Sequence, residues 1–159
     1  MSKIALTPDA SGTGTFTIAS PNSNTSRTLT LPDAAGELYN QGNAVGTVSQ
    51  SGGTPTGAFI ETGSTANGYY TRFADGTQMC WHEFSITPVA NSNTAKIWTF
   101  PVEFSVAPVV QVNCNTTVAG TTVEAWNAQN PTTTEVNIYI RRTNTTSTLM
   151  TMLAVGRWF

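Results

Sequence analysis

The clearest alternation of apolar and polar positions runs from Gly68 to Phe84, where two stretches rich in aromatic and β-branched residues flank Asp75-Gly76. Asp-Gly supplies the positive φ angles of a tight type I′ turn at little steric cost, so the pattern predicts an antiparallel hairpin. Successive strand side chains alternate faces, which sends Tyr69, Thr71 and Phe73 to one side and Tyr70, Arg72 and Ala74 to the other. Further strands are predicted at Lys96–Phe100, Val109–Asn115, Thr121–Asn127 and Glu135–Arg141. In the last of these Val136, Ile138 and Ile140 face inward and Asn137, Tyr139 and Arg141 outward. The run from Leu149 to Phe159 is apolar on both faces, as befits a strand at the centre of a sheet or at an interface. Short strands at near-regular spacing predict an all-β fold, an antiparallel β-sandwich or barrel of about six to seven strands over residues 68–159.

The preceding segments read differently. In residues 1–40, Thr15–Ala19 and Thr28–Leu31 are short alternating strands around a loop of turn-forming residues. Each offers too few apolar side chains for a core of its own and needs partner strands, from neighbouring copies or from the C-terminal domain. Residues 41–67, dense in Gly, Ser and Thr and containing Ser51-Gly-Gly-Thr-Pro-Thr-Gly57, read as a connector, interrupted by Phe59-Ile60.

Composition narrows the function classes. Only 10% of the 159 residues are charged, and Thr, Asn, Ser and Gly solvate the surface instead, which suits stable β structure. A net charge of −2 gives no electrostatic footprint for nucleic acid. No apolar run is long enough to insert in a membrane as a helix, and Pro8 and Asp9 interrupt the N-terminus before a secretory signal forms. Cys80 and Cys114 lack the paired spacing of a zinc site, and buried free thiols are favoured over a disulfide.

Three stretches carry a resemblance. Residues Gly63 to Trp81, then Trp98-Thr-Phe-Pro101 with Phe104-Ser-Val-Ala-Pro-Val-Val110, and finally Leu153-Ala-Val-Gly-Arg-Trp-Phe159 resemble the C-terminal domains of bacteriophage tail fibre proteins. The second and third also resemble the H-type lectins, in which a Phe-x-x-x-Pro-x-Val strand start and an Ala-Val-Gly-like ending bracket a six-stranded antiparallel barrel. Residues Ile18 to Leu38 look like fibre attachment or shaft sequence. The resemblance implies a homotrimer in a virion tail, made in the host cytoplasm. Its tip would attach to a bacterial surface polysaccharide or protein receptor, and its N-terminal segment would join other tail proteins. A structural tail or baseplate role is the alternative.

Sugar recognition needs a flat aromatic face for the C–H side of the ring and amides, carboxylates or guanidinium groups for its hydroxyls. Trp126, Asn127, Asn137, Tyr139 and Arg141 supply these types on predicted strands and their adjoining loop, with Trp126 the tryptophan expected to point outward. Trp81, Trp98 and Trp158 are assigned to packing. An enzyme is not expected. The acidic residues are scattered singly among strands, Asp75 is explained by its turn, and the one histidine, His82, leaves no room for a hydrolytic triad or a multi-histidine metal site. No cofactor or metal is implied.

Overall fold

The computed structural model describes residues 10–15, 17–19, 22–28, 30, 39, 40, 42–115 and 123–159, with backbone alone at 123 and 124. The chain divides into two compact units, Met1–Gly36 and Glu37–Phe159. In the first unit every described residue is exposed and none lies in a strand. Of the strands expected at Thr15–Ala19 and Thr28–Leu31, the described Thr15, Thr17, Ile18, Ala19, Thr28 and Thr30 lie in no strand, and Phe16, Leu29 and Leu31 lie outside the described residues.

The second unit is all β. Among its described residues lie ten strands and no helix: β1 (Gln50–Ser51), β2 (Thr54–Pro55), β3 (Ile60–Thr65), β4 (Gly68–Phe73), β5 (Thr77–Ile86), β6 (Ser92–Thr99), β7 (Val109–Asn115), β8 (Val123–Gln129), β9 (Glu135–Arg142) and β10 (Thr148–Arg157). A five-stranded sheet runs β3-β4-β5-β10-β7, a three-stranded sheet runs β6-β9-β8, and β1 and β2 form a separate ribbon; all ladders are antiparallel.

Two local readings are corrected. The segment read as a connector contains β1, β2 and β3, and β3 pairs with β4 from Ile60↔Phe73 to Thr65↔Gly68. Its Gly52-Gly53 pair, at φ 57° and 85°, forms the two-residue turn with both central residues at positive φ. The hairpin at Asp75-Gly76 is instead a three-residue loop. Only Gly76 has positive φ, at 92°, and its N–H donates to the Phe73 carbonyl at 3.0 Å, so a type I turn is followed by a left-handed glycine. The Asp75 carboxylate is occupied in accepting the Thr77 N–H at 2.8 Å.

The long apolar run becomes β10, flanked by β5 and β7 at the interior of the larger sheet. Met150, Met152 and Ala154 on its inner face are buried with Cys80 and Ile86 of β5 against Trp98, Val136, Ile138 and Ile140 of the smaller sheet. Phe100 and Phe104 extend this core through edge-to-face contacts beginning at Trp98. Both cysteines are free thiols, Cys80 buried and Cys114 half-buried. Burial pushes the Cys80 thiol up to about 12.

Edge residues of the smaller sheet bind it to the larger one. Lys96 of β6 lies 4.3 Å from the Phe84 ring centroid and donates to the Ser85 carbonyl, and Trp98 donates its indole N–H to the Asn67 carbonyl at 2.9 Å. On the opposite side Trp126 of β8 donates its indole N–H to the Val112 carbonyl of β7 at 3.3 Å. A buried polar chain strengthens the inner face of the larger sheet. Gln78 accepts from Arg72 Nε at 2.9 Å and donates Nε2 to the carbonyls of Val102 and Glu103.

Candidate ligand-binding face

Strand β9 sets this face by strict alternation. Val136, Ile138 and Ile140 are buried, so Asn137, Tyr139 and Arg141 stand on the opposite side of the sheet. Register then decides their neighbours: Asn127 of β8 and Ala95 of β6 lie opposite Tyr139, Gln129 and Ile97 opposite Asn137, and Ala125 and Asn93 opposite Arg141. Directly opposed residues project to the same face. The outer surface is therefore a small platform of amides around one phenol ring and one guanidinium, with the exposed Ile97 at its margin.

A shallow depression of about 410 Å³ lies on this surface, bordered by Asn93, Trp126, Asn127, Gln129, Tyr139 and Arg141. Four of the five residues singled out from sequence come together there, while Asn137 sits one step along β9 beyond the rim. Trp126 holds a different position from the one expected. It is directly opposite Ile140, on the inward parity of β8, and leans over the sheet edge to β7; a β-bulge between Val123 and Ala125 sets that register. The residue is 43% exposed and borders the depression from the edge. Asn93 and Gln129 were missed. Both follow the alternation of their strands, but only the pairing of β6 and β8 with β9 places them beside Tyr139.

The depression offers hydrogen-bonding groups and aromatic faces. Amides donate and accept together, a guanidinium donates in a fixed fork, and a phenol offers an apolar face with a hydroxyl at its tip. None of its lining residues is a carboxylate. Among the described residues no group of three or more His, Cys, Asp or Glu side chains is placed to hold a metal ion. His82 stands on the other sheet, edge-on to Phe84 at 5.8 Å, and burial together with Lys96 lowers its affinity for a proton. No helix among the described residues is long and apolar enough to cross a membrane.

Trp81, assigned from sequence to packing, is corrected by the structure. It is 40% exposed on the outer face of the larger sheet, where it stacks with Tyr69. Tyr69 and Trp81 face each other across the β4–β5 ladder, and both have the outward parity.

Fold and face together define an all-β sandwich that carries an amide-rich outer surface. No family model matches the chain, and no curated protein matches it. Among solved structures, the C-terminal region of the Pseudomonas aeruginosa R1 pyocin fibre superposes with a TM-score of 0.50 at 15% identity, over 82% of this chain and 40% of that one. An N-truncated R1-type pyocin tail fibre gives 0.49 at 17% identity over 62% of this chain and 88% of that one. The P. aeruginosa R2 pyocin fibre gives 0.48 at 18% identity, over 83% and 38%. This chain thus spans less than half of the longer pyocin fragments, and at these identities the likeness is one of fold.

Proposed function

We propose that this chain is a phage tail fibre or receptor-binding protein that attaches a virion to a bacterial surface polysaccharide or other receptor, as a homotrimer and without catalysis. The fold shared with the C-terminal region of the R1 pyocin fibre is the observation that carries the reading. The face around Tyr139, Asn127 and Arg141 supports it by offering the donors, acceptors and ring that a hydroxylated ligand requires. In this reading the N-terminal segment joins other tail proteins, and the protein resides in the virion tail.

Three copies would meet along an apolar row on the outer face of the larger sheet. Met79, Val155 and Val109 are adjacent across β5, β10 and β7, and Val109 is 79% exposed with Val106 beside it in sequence also exposed. Trimerisation gives attachment its strength. Sites of millimolar class gain orders of magnitude when held rigidly on one tip.

A structural tail or baseplate protein is the second reading, favoured by the same fold. Adsorption of the purified protein to a panel of bacterial strains, with and without periodate treatment of the cells, separates the two. Binding that is lost on periodate oxidation and on Tyr139→Ala with Arg141→Ala supports attachment. Binding to a tail protein but to none of the cells supports the structural role.

A further inference from the structure

The outer face of the larger sheet carries a second polar and aromatic constellation. Tyr69 of β4 and Trp81 of β5 are cross-strand partners whose rings lie 5.8 Å apart and 17° from parallel, and they are 56% and 40% exposed. Neither aromatic is needed to fill the core, which lies on the other face of the same strands. The indole nitrogens make the contrast plain. Trp98, Trp126 and Trp158 each donate to a backbone carbonyl, whereas the Trp81 N–H has no hydrogen-bond partner among the described residues.

Beside the aromatic pair runs a polar row. Register places Glu83, Thr151 and Asn113 next to one another across β5, β10 and β7, one step along from Trp81 and Leu153. The Glu83 carboxylate and Thr151 hydroxyl make no hydrogen bond to described residues, and both border a depression of about 620 Å³ that Tyr69 and Trp81 also line. The surface thus joins an apolar aromatic area to an unpaired N–H donor, a carboxylate acceptor and a hydroxyl. A flat apolar partner would strand those three polar groups without partners, at a cost for each.

From this geometry we infer that the Tyr69–Trp81 pair is a second binding site, distinct from the Tyr139 face, and that it takes a neutral pyranose ring. The C–H side of the sugar lies on the aromatic pair, where the electron-rich ring faces attract its weakly positive hydrogens. Trp81 Nε1 donates to a ring hydroxyl, and Glu83 and Thr151 hold the hydroxyls on the polar side. Glu83 acts here as an acceptor alone, with no bond made or broken. The site lies one row from the apolar strip of Met79, Val155 and Val109, so in a trimer it would open beside a subunit boundary.

The test is a titration of the full chain with the methyl glycosides of glucose, galactose and N-acetylglucosamine at millimolar concentrations, following the four indole N–H resonances by NMR. The Trp81 resonance, identified by its loss in Trp81→Phe, is expected to move saturably with at least one glycoside. Tyr69→Ala and Glu83→Gln are each expected to weaken that response about tenfold, roughly the worth of one aromatic or one charge-assisted contact. An unmoved Trp81 resonance with all three glycosides would overturn the inference. So would a fall in native mass on Trp81→Ala, which would make the pair a subunit contact. The outcome is separable from that of cell attachment. Adsorption that fails on all cells while the Trp81 resonance still responds removes the adhesin reading and leaves the site, and the converse removes the site alone.

Discussion

The indole N–H of Trp158 donates to the carbonyl of Phe73 at 2.8 Å, tying the residue after β10 to the last residue of β4, two strands away in the sheet. Neighbouring bonds reinforce this clasp. The Trp158 N–H donates to the Gly76 carbonyl, and Arg157 Nη2 donates to the Asp75 carbonyl at 2.9 Å. The hairpin that dominates the sequence pattern is thus held at its turn by the end of β10, an interior strand of the same sheet.

Trp158→Ala is expected to destabilise the protein by about 2–3 kcal/mol, since it removes a half-buried ring and one of the two hydrogen bonds that the Phe73 carbonyl accepts. Equilibrium denaturation measures this. Trp158→Phe should recover part of the packing and none of the hydrogen bond.

Gln78 carries a larger load for its size. Its side chain is fully buried and joins Arg72 to two loop carbonyls. Gln78→Met keeps the volume but leaves those groups without partners, and a loss of about 3 kcal/mol is expected in the same measurement. A loss well under that for a surface substitution would mean that the chain of bonds contributes nothing.

The two thiols should react in order. Cys80 is buried and its thiol is pushed up to about 12, while Cys114 is half-buried with a smaller upward push from burial. Since the thiolate is the reactive form, a thiol-specific reagent at neutral pH should label Cys114 first and Cys80 only on unfolding. Mass spectrometry of peptides after timed labelling reads the order directly.

His82 should make stability fall on mild acidification. Burial and then Lys96 lower its folded pKa below the unfolded value of 6.5, so the unfolded chain binds the proton more readily. The stabilising contribution is complete above the unfolded pKa, declines as pH falls below it, and stops changing below the folded pKa. His82→Gln should flatten this part of the stability profile. A profile unchanged by the substitution would assign the acid sensitivity to other groups.

Strand alternation made much of the architecture legible. The inward Val136, Ile138 and Ile140 and the two-faced Leu149 to Phe159 run are read from patterning along the chain, and the core and an interior strand lie where that pattern puts them. Pairing was not legible. β3 hides in a stretch whose Gly, Ser and Thr resemble linker, and it becomes a strand because β4 offers it an edge. Trp126 shows the cost of counting alternation without register, since the bulge beside it and the position of β8 at a sheet edge set its direction. Trp81 shows the complementary case. Its parity could be read from the hairpin, but whether that parity faces the core or solvent depends on which sheet face the second sheet covers.

Attachment through weak sites requires several copies on one tip, so the native mass in dilute solution, by light scattering, bears most directly on the proposed function. A stable species of three times the 16.9 kDa chain mass is the expected result, reduced to single chains by Val109→Glu, which sets a charge in the apolar row. A clean monomer would contradict the fibre reading and leave a monomeric binding module in its place.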